Sequence, residues 1–156
     1  MTSDDGDAGD RSARALLVVL ATTSKRMFEV WSALRANQAV ARVDTSCDTS
    51  RFSDPFRDEW DMCSFDAYAE VTTHSGVGFS WGVQIWMTSS GWEFYRWIKK
   101  DGTDGQDTIS EFDDVRFKSI DDLTRGFPAL MDEFVESARH FDFEIPHKSA
   151  SSRKSS

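Results

Sequence analysis

Between Ser12 and about Val40 the apolar residues recur at helical spacing. Leu16, Leu20, Met27, Trp31 and Leu34 fall on one stripe, with Ser24 interrupting it, and Leu17, Phe28 and Val30 widen the apolar face. The pattern predicts one long helix, with a break near Ser24 as the alternative because a serine there can cap a new segment. Asp10 or Ser12 can accept from an orphan N–H at its start. At Phe65 the period changes to two. Phe65, Ala67, Ala69 and Val71 alternate with Asp66, Tyr68, Glu70 and Thr72, which predicts a half-buried strand. The same alternation runs through Phe79–Thr88 and Trp92–Lys99, and a fourth strand is expected over Thr108–Phe112. The links are short: Gly76-Val-Gly78, Ser89-Ser90-Gly91, and Asp101–Gly105 with Asp-Gly twice. Short links favour an antiparallel meander.

Helical spacing returns after Ser119, which forms a Ser-x-x-Asp cap with Asp122. Leu123, Phe127, Leu130 or Met131, Phe134, Ala138 and Phe141 trace its apolar face, and Gly126 and Pro128 predict a kink or two short helices. Helix, strands and helix without alternation make an α+β fold: a long N-terminal helix, an antiparallel β-meander of about four strands, and a C-terminal kinked helix packed on the sheet. The 156 residues suit one domain, expected over 11–145. Residues 1–10, acidic and almost without apolar side chains, read as a disordered tail, and 146–156 as a disordered basic, Ser-rich one. Residues 42–64 read as a polar acidic connection. Phe52, Phe56 and Trp60 within it predict an ordered loop or short helix around Pro55.

The charge narrows the function classes. Eighteen basic against 27 acidic residues give −9, which disfavours nucleic acid because phosphate neutralisation supplies most of such affinity. No apolar run reaches the roughly 18 residues of a membrane span. The acidic start and the short Ala15–Ala21 run do not make a secretory leader. Cys47 and Cys63 do not form a C-x-x-C pair and are compatible with reduced thiols, so the cytoplasm is the expected compartment. His74, His140 and His147 lack metal-ligand spacing, and Asp101–Asp107 lacks the alternate ligands of a calcium loop. No phosphate-binding glycine loop or nucleophile elbow is present, so no cofactor or metal is expected. A Cys–His pair assembled from Cys47 or Cys63 with His74 is a minor enzymatic possibility; buried thiols more often simply fill space.

Two features remain. Trp86, Tyr95 and Trp97 fall on the alternation opposite Trp81, Phe79 and Phe94, together with Gln84 and Glu93. If only one sheet face is covered, they form an exposed aromatic strip, and such patches mark interaction sites. Between Asp44 and Glu70, eight carboxylates face two arginines, with Asp58, Glu59 and Asp61 at the densest point. Such clusters ordinarily keep a surface solvated, and they also steer basic partners. Sheet carboxylates such as Glu93 with Glu70 could instead serve a small hydrolase, against the simpler reading that they decorate a solvated face.

Gly91-Trp-Glu-Phe, Asp104-Gly-Gln-Asp-Thr-Ile-Ser-Glu-Phe and Phe117-Lys-Ser-Ile-Asp-Asp-Leu resemble small bacterial proteins of unassigned or immunity type. These carry a hairpin ending in Asp-Gly-Gln and a following acidic-capped helix. The resemblance covers about the last third of the domain, implies no catalytic residue, and points to a binding protein. The expected function is therefore a non-enzymatic module that binds a basic protein partner through Trp86, Tyr95, Trp97, Glu93, Asp58, Glu59 and Asp61. The alternatives are an acidic secretion-chaperone-like protein and the small hydrolase.

Overall fold

The structure, a computed structural model, describes residues 4–50, 63–88 and 90–144. Helix α1 (Asp4–Ala36) leads into strands β1 (Val40–Ser50), β2 (Cys63–Thr73), β3 (Gly78–Thr88), β4 (Gly91–Gly102), β5 (Gly105–Glu111) and β6 (Val115–Phe117), and helix α2 (Ile120–Arg139) follows. All pairings are antiparallel, in the order β1-β2-β3-β4-β5, and β6 pairs with the first residues of β4. This is the α+β arrangement that the alternating periods predict, with a longer sheet.

The register sorts the strand residues onto two faces. One carries Ala69, Trp81 and Ile98 in one row, and Phe65, Ile85 and Phe94 in another. These six side chains are buried, together with Ala67, Val71, Phe79 and Val83. Both helices close this face. Val19, Met27, Val30 and Leu34 come from α1, and Leu123, Phe127, Met131, Phe134, Val135 and Ala138 from α2. Trp81 packs against Phe134 at 5.8 Å and edge-on to Phe141 at 4.9 Å, beyond the end of α2. The helices also pack on each other, with Arg26 of α1 bonded to Asp132 of α2. Among the described residues no helix lies over the opposite face.

Several expectations change. The long helix is unbroken at Ser24 and starts at Asp4, inside the stretch read as a tail; residues 6–10 are exposed on all sides. The Thr23 hydroxyl donates to the Val19 carbonyl within the helix, so the Thr-Thr-Ser run is absorbed without a new cap. Residues 40–50, read largely as the start of a connection, form an edge strand. Arg42, Asp44, Thr45 and Cys47 are exposed there, so the alternation of a half-buried strand is missing. The rest of that connection, with Phe52, Pro55, Phe56 and Trp60, lies outside the described residues, as do the last twelve residues.

Helix α2 is a single helix through Pro128 rather than two. Ser119 caps it as expected, accepting from the Asp122 N–H at 3.1 Å. Gly126 serves close packing rather than a break: a Cβ there would meet the Phe117 ring of β6 at 2.5 Å. Within the described residues no helix is long and apolar enough to cross a membrane.

Candidate functional site: the uncovered sheet face

The face opposite the helices is built in rows. Ser46, Tyr68, Gly82 and Trp97 are level across β1 to β4, and Asp66, Gln84 and Tyr95 form the next row. Ser64, Trp86, Glu93 and Arg116 follow beyond them. On the other side of the Trp97 row lie Asp44, Glu70, Ser80 and Lys99.

Trp97 organises this surface. Its indole lies across Gly82, where a Cβ would come within 2.5 Å of Cη2 and closer still to Cζ2 and Cε2. The absence of a side chain at Gly82 therefore lets the ring lie down on the sheet. The indole Nε1 donates to Ser80 Oγ at 3.2 Å, and the Ser80 side chain also hydrogen-bonds the Glu70 carboxylate. Tyr95 stacks on Trp97 at 5.4 Å with planes 22° apart, and the Lys99 ammonium sits 5.6 Å from the indole centroid. Tyr95, Trp97 and Trp86 are half-buried, and the Trp97 ring lies flush on Gly82. A flush, pre-ordered ring loses little rotamer freedom on contact, which makes it an efficient binding element.

Carboxylates rim the platform. Glu70 lies level with Asp44 on β1, and Asp101 is close by at the end of β4. Partial burial, then the Asp101 and Asp44 charges, push the Glu70 carboxyl above its ordinary value, against the Ser80 hydrogen bond. Asp44 pairs with Arg42 at 2.7 Å, and Glu93 pairs with Arg116 at 2.8 Å. Negative charge therefore gathers at the Glu70–Asp101 end, with Lys99 in the same row.

Of the residues proposed from sequence, Trp86, Tyr95, Trp97 and Glu93 share this face. Asp58, Glu59 and Asp61 lie outside the described residues. The hydrolase pair does not form. Glu70 is level with Lys99, and Glu93 lies six residues away along β4, about 20 Å at strand rise. Cooperating carboxylates stand within about 10 Å. Among the described residues no three potential metal ligands cluster.

Arg96 falls on the inward alternation with Phe94 and Ile98 and is 3% exposed on the helix-covered face. It donates to the Leu130 carbonyl at 3.0 Å and to Glu133 at 2.8 Å, with its guanidinium 4.6 Å from the Phe112 ring centroid. Sequence reasoning overlooked Ser80, Gly82, Tyr68 and Asp101. The signal was available for two of them: small residues at 80 and 82, on the alternation facing Trp97, leave room for an indole. His74 lies in the β2–β3 turn, beside an open depression of about 490 Å³ that Lys100, Phe143 and Glu144 also line. That depression includes neither Glu70 nor Glu93. A second depression, about 300 Å³, adjoins Tyr95 and is lined by Arg96, Thr108, Ser110 and Phe112 with Asp113 and Asp114. No protein-family model, no curated protein and no solved structure matches this chain.

Proposed function

We propose that the protein is a non-enzymatic interaction module, working in the cytoplasm, whose uncovered sheet face docks a basic surface of a protein partner in the manner of an immunity protein. One observation carries the reading: the Tyr95–Trp97 stack, held flat by Gly82 and Ser80, borders a carboxylate whose neighbours are also acidic. Aromatic faces supply contact area at small entropic cost. The Glu70–Asp101–Asp44 group selects a cationic side chain, since one brought in favours the charged Glu70 carboxylate that partial burial and the Asp101 and Asp44 charges disfavour. The hydrolase alternative loses its named pair, and the binding reading needs no converging catalytic groups.

The test is affinity capture from native lysate at low and at physiological salt, with wild-type protein beside Trp97→Ala and Glu70→Lys. A partner of high pI, captured more strongly at low salt and lost with both variants, is the expected result. Capture indifferent to both substitutions would refute this placement of the site.

A further inference from the structure

We infer that the chain forms a two-fold homodimer through the outer edge of β1 and the lateral stripe of α1. Leu17 and Phe28 are 66% and 60% exposed, although they lie in the middle of a long helix whose other face builds the core. At about 100° per residue the two fall within about 20° of each other, and close to 180° around the helix from Arg26. Arg26 bonds Asp132 of α2, so the Leu17–Phe28 stripe points away from α2. Helix α1 packs over β1 and β2, and β1 is the end of the sheet order. Stripe and strand edge therefore face the same side, and no described strand or helix covers either.

The stripe is complementary to itself when turned end for end. Along it run Asp10, Leu17, Ala21, Ser24, Phe28 and Arg35. An antiparallel copy centred between Ala21 and Ser24 sets Leu17 against Phe28 and Asp10 against Arg35, twice each, as an isologous contact requires. Small residues at the crossing point allow close approach.

The strand gives the same axis independently. The connection after Ala36 turns the chain back along α1, so the helix and β1 run antiparallel. The stripe's centre lies about 20 Å from the end of α1, at 1.5 Å per residue. An equal distance along β1 from Val40 reaches about six residues, to Thr45–Ser46, the middle of that strand. Antiparallel pairing of β1 with its copy about that point continues the sheet. It places the two α1 helices about 10 Å apart, each sitting half a strand spacing inside its own edge, and this is the distance at which helices pack. A long unprotected edge strand is otherwise an aggregation hazard, and self-pairing removes it.

Sedimentation velocity on the full chain, from about 1 to 100 µM, tests this. The expected wild-type species is about 35 kDa, twice the 17.7 kDa chain. Leu17→Lys with Phe28→Lys should give a folded monomer whose thermal melt no longer rises with protein concentration, because both side chains are exposed in the single chain. Asp10→Arg alone should weaken association about tenfold, since the change counts twice, and adding Arg35→Asp should restore it. Amide exchange in β1 should slow in the dimer. A wild-type monomer at 100 µM, a dimer indifferent to the lysine substitutions, or a dimer whose β1 amides exchange at the monomer's rate would each overturn the inference. None of these readouts depends on the partner-binding face.

Discussion

Replacing Gly82 by Ala tests the architecture of the uncovered face through one methyl group. The new Cβ would occupy space held by Trp97, 2.5 Å from Cη2 and closer to two other ring carbons, and β3 and β4 are hydrogen-bonded neighbours that cannot separate. The indole must swing off the sheet. It then loses the Nε1 bond to Ser80, worth about 1 kcal/mol, and its stack on Tyr95, worth about another 1 kcal/mol. Exposing roughly 40 Å² of ring face adds about 1 kcal/mol. Against this, alanine in a strand interior gains about 0.5–1 kcal/mol over glycine. The balance is a loss of about 2 kcal/mol, measured as a shifted urea midpoint at constant slope. The decisive comparison repeats the change in a Trp97→Ala background. With no ring to displace, Gly82→Ala should there stabilise by about 0.5–1 kcal/mol. The same sign in both backgrounds would refute the ring-over-glycine account.

Trp81→Ala should cost about 3–5 kcal/mol in the same unfolding assay, because the side chain is fully buried between the sheet and Phe134 and Phe141; a loss near zero would put the wrong face inside. Arg96→Ala should cost about 2–4 kcal/mol, while Arg96→Met should recover most of it by keeping a long apolar stem beside Phe112, since Glu133 is exposed enough to be hydrated alone. For Glu70 the folded carboxyl binds its proton more tightly than the unfolded chain does, so stability falls as pH rises from 4.5 through the raised value. Glu70→Gln should therefore raise Tm at pH 7, with the difference closing near pH 4; an equal difference at both pH values would show that the charge is not the cause.

What was legible in the sequence follows from how strongly each segment is divided between water and core. β3 and β4 carry Phe79, Trp81, Phe94 and Ile98 on one alternation, and these all face the helices. β1 was not legible because it is an edge strand whose described side chains are mostly exposed, so polar residues cost little on either face. β6 is three residues long and carries too little pattern to register. At Pro128 the sequence allowed a kink or two short helices; buried Phe127, Met131 and Phe134 hold α2 together across a position whose local preference is to break it. Arg96 occupies an inward position where a guanidinium is rare; Glu133 and the Leu130 carbonyl, contributed by a distant segment, make it tolerable. The same limit applies to the aromatic strip. Alternation placed Trp86, Tyr95 and Trp97 on one face, but only the register, with Gly82 opposite Trp97, explains why the Trp97 ring lies flat.

The two surfaces also combine geometrically. Antiparallel pairing of β1 about an axis normal to the sheet keeps both sets of helices on one side and both uncovered faces on the other. The Tyr95–Trp97 stacks would then point in the same direction, separated by the two β1–β3 halves of a continuous sheet, about seven strand spacings or roughly 33–34 Å apart. A partner with two basic sites at that span would gain effective concentration from the second contact without any new chemistry at the first. The two properties remain separable, because Leu17 and Phe28 lie on the helix side and Trp97 on the other. Substituting the former removes the second platform while leaving the first intact, so the loss of avidity and the loss of recognition are different defects of the same chain.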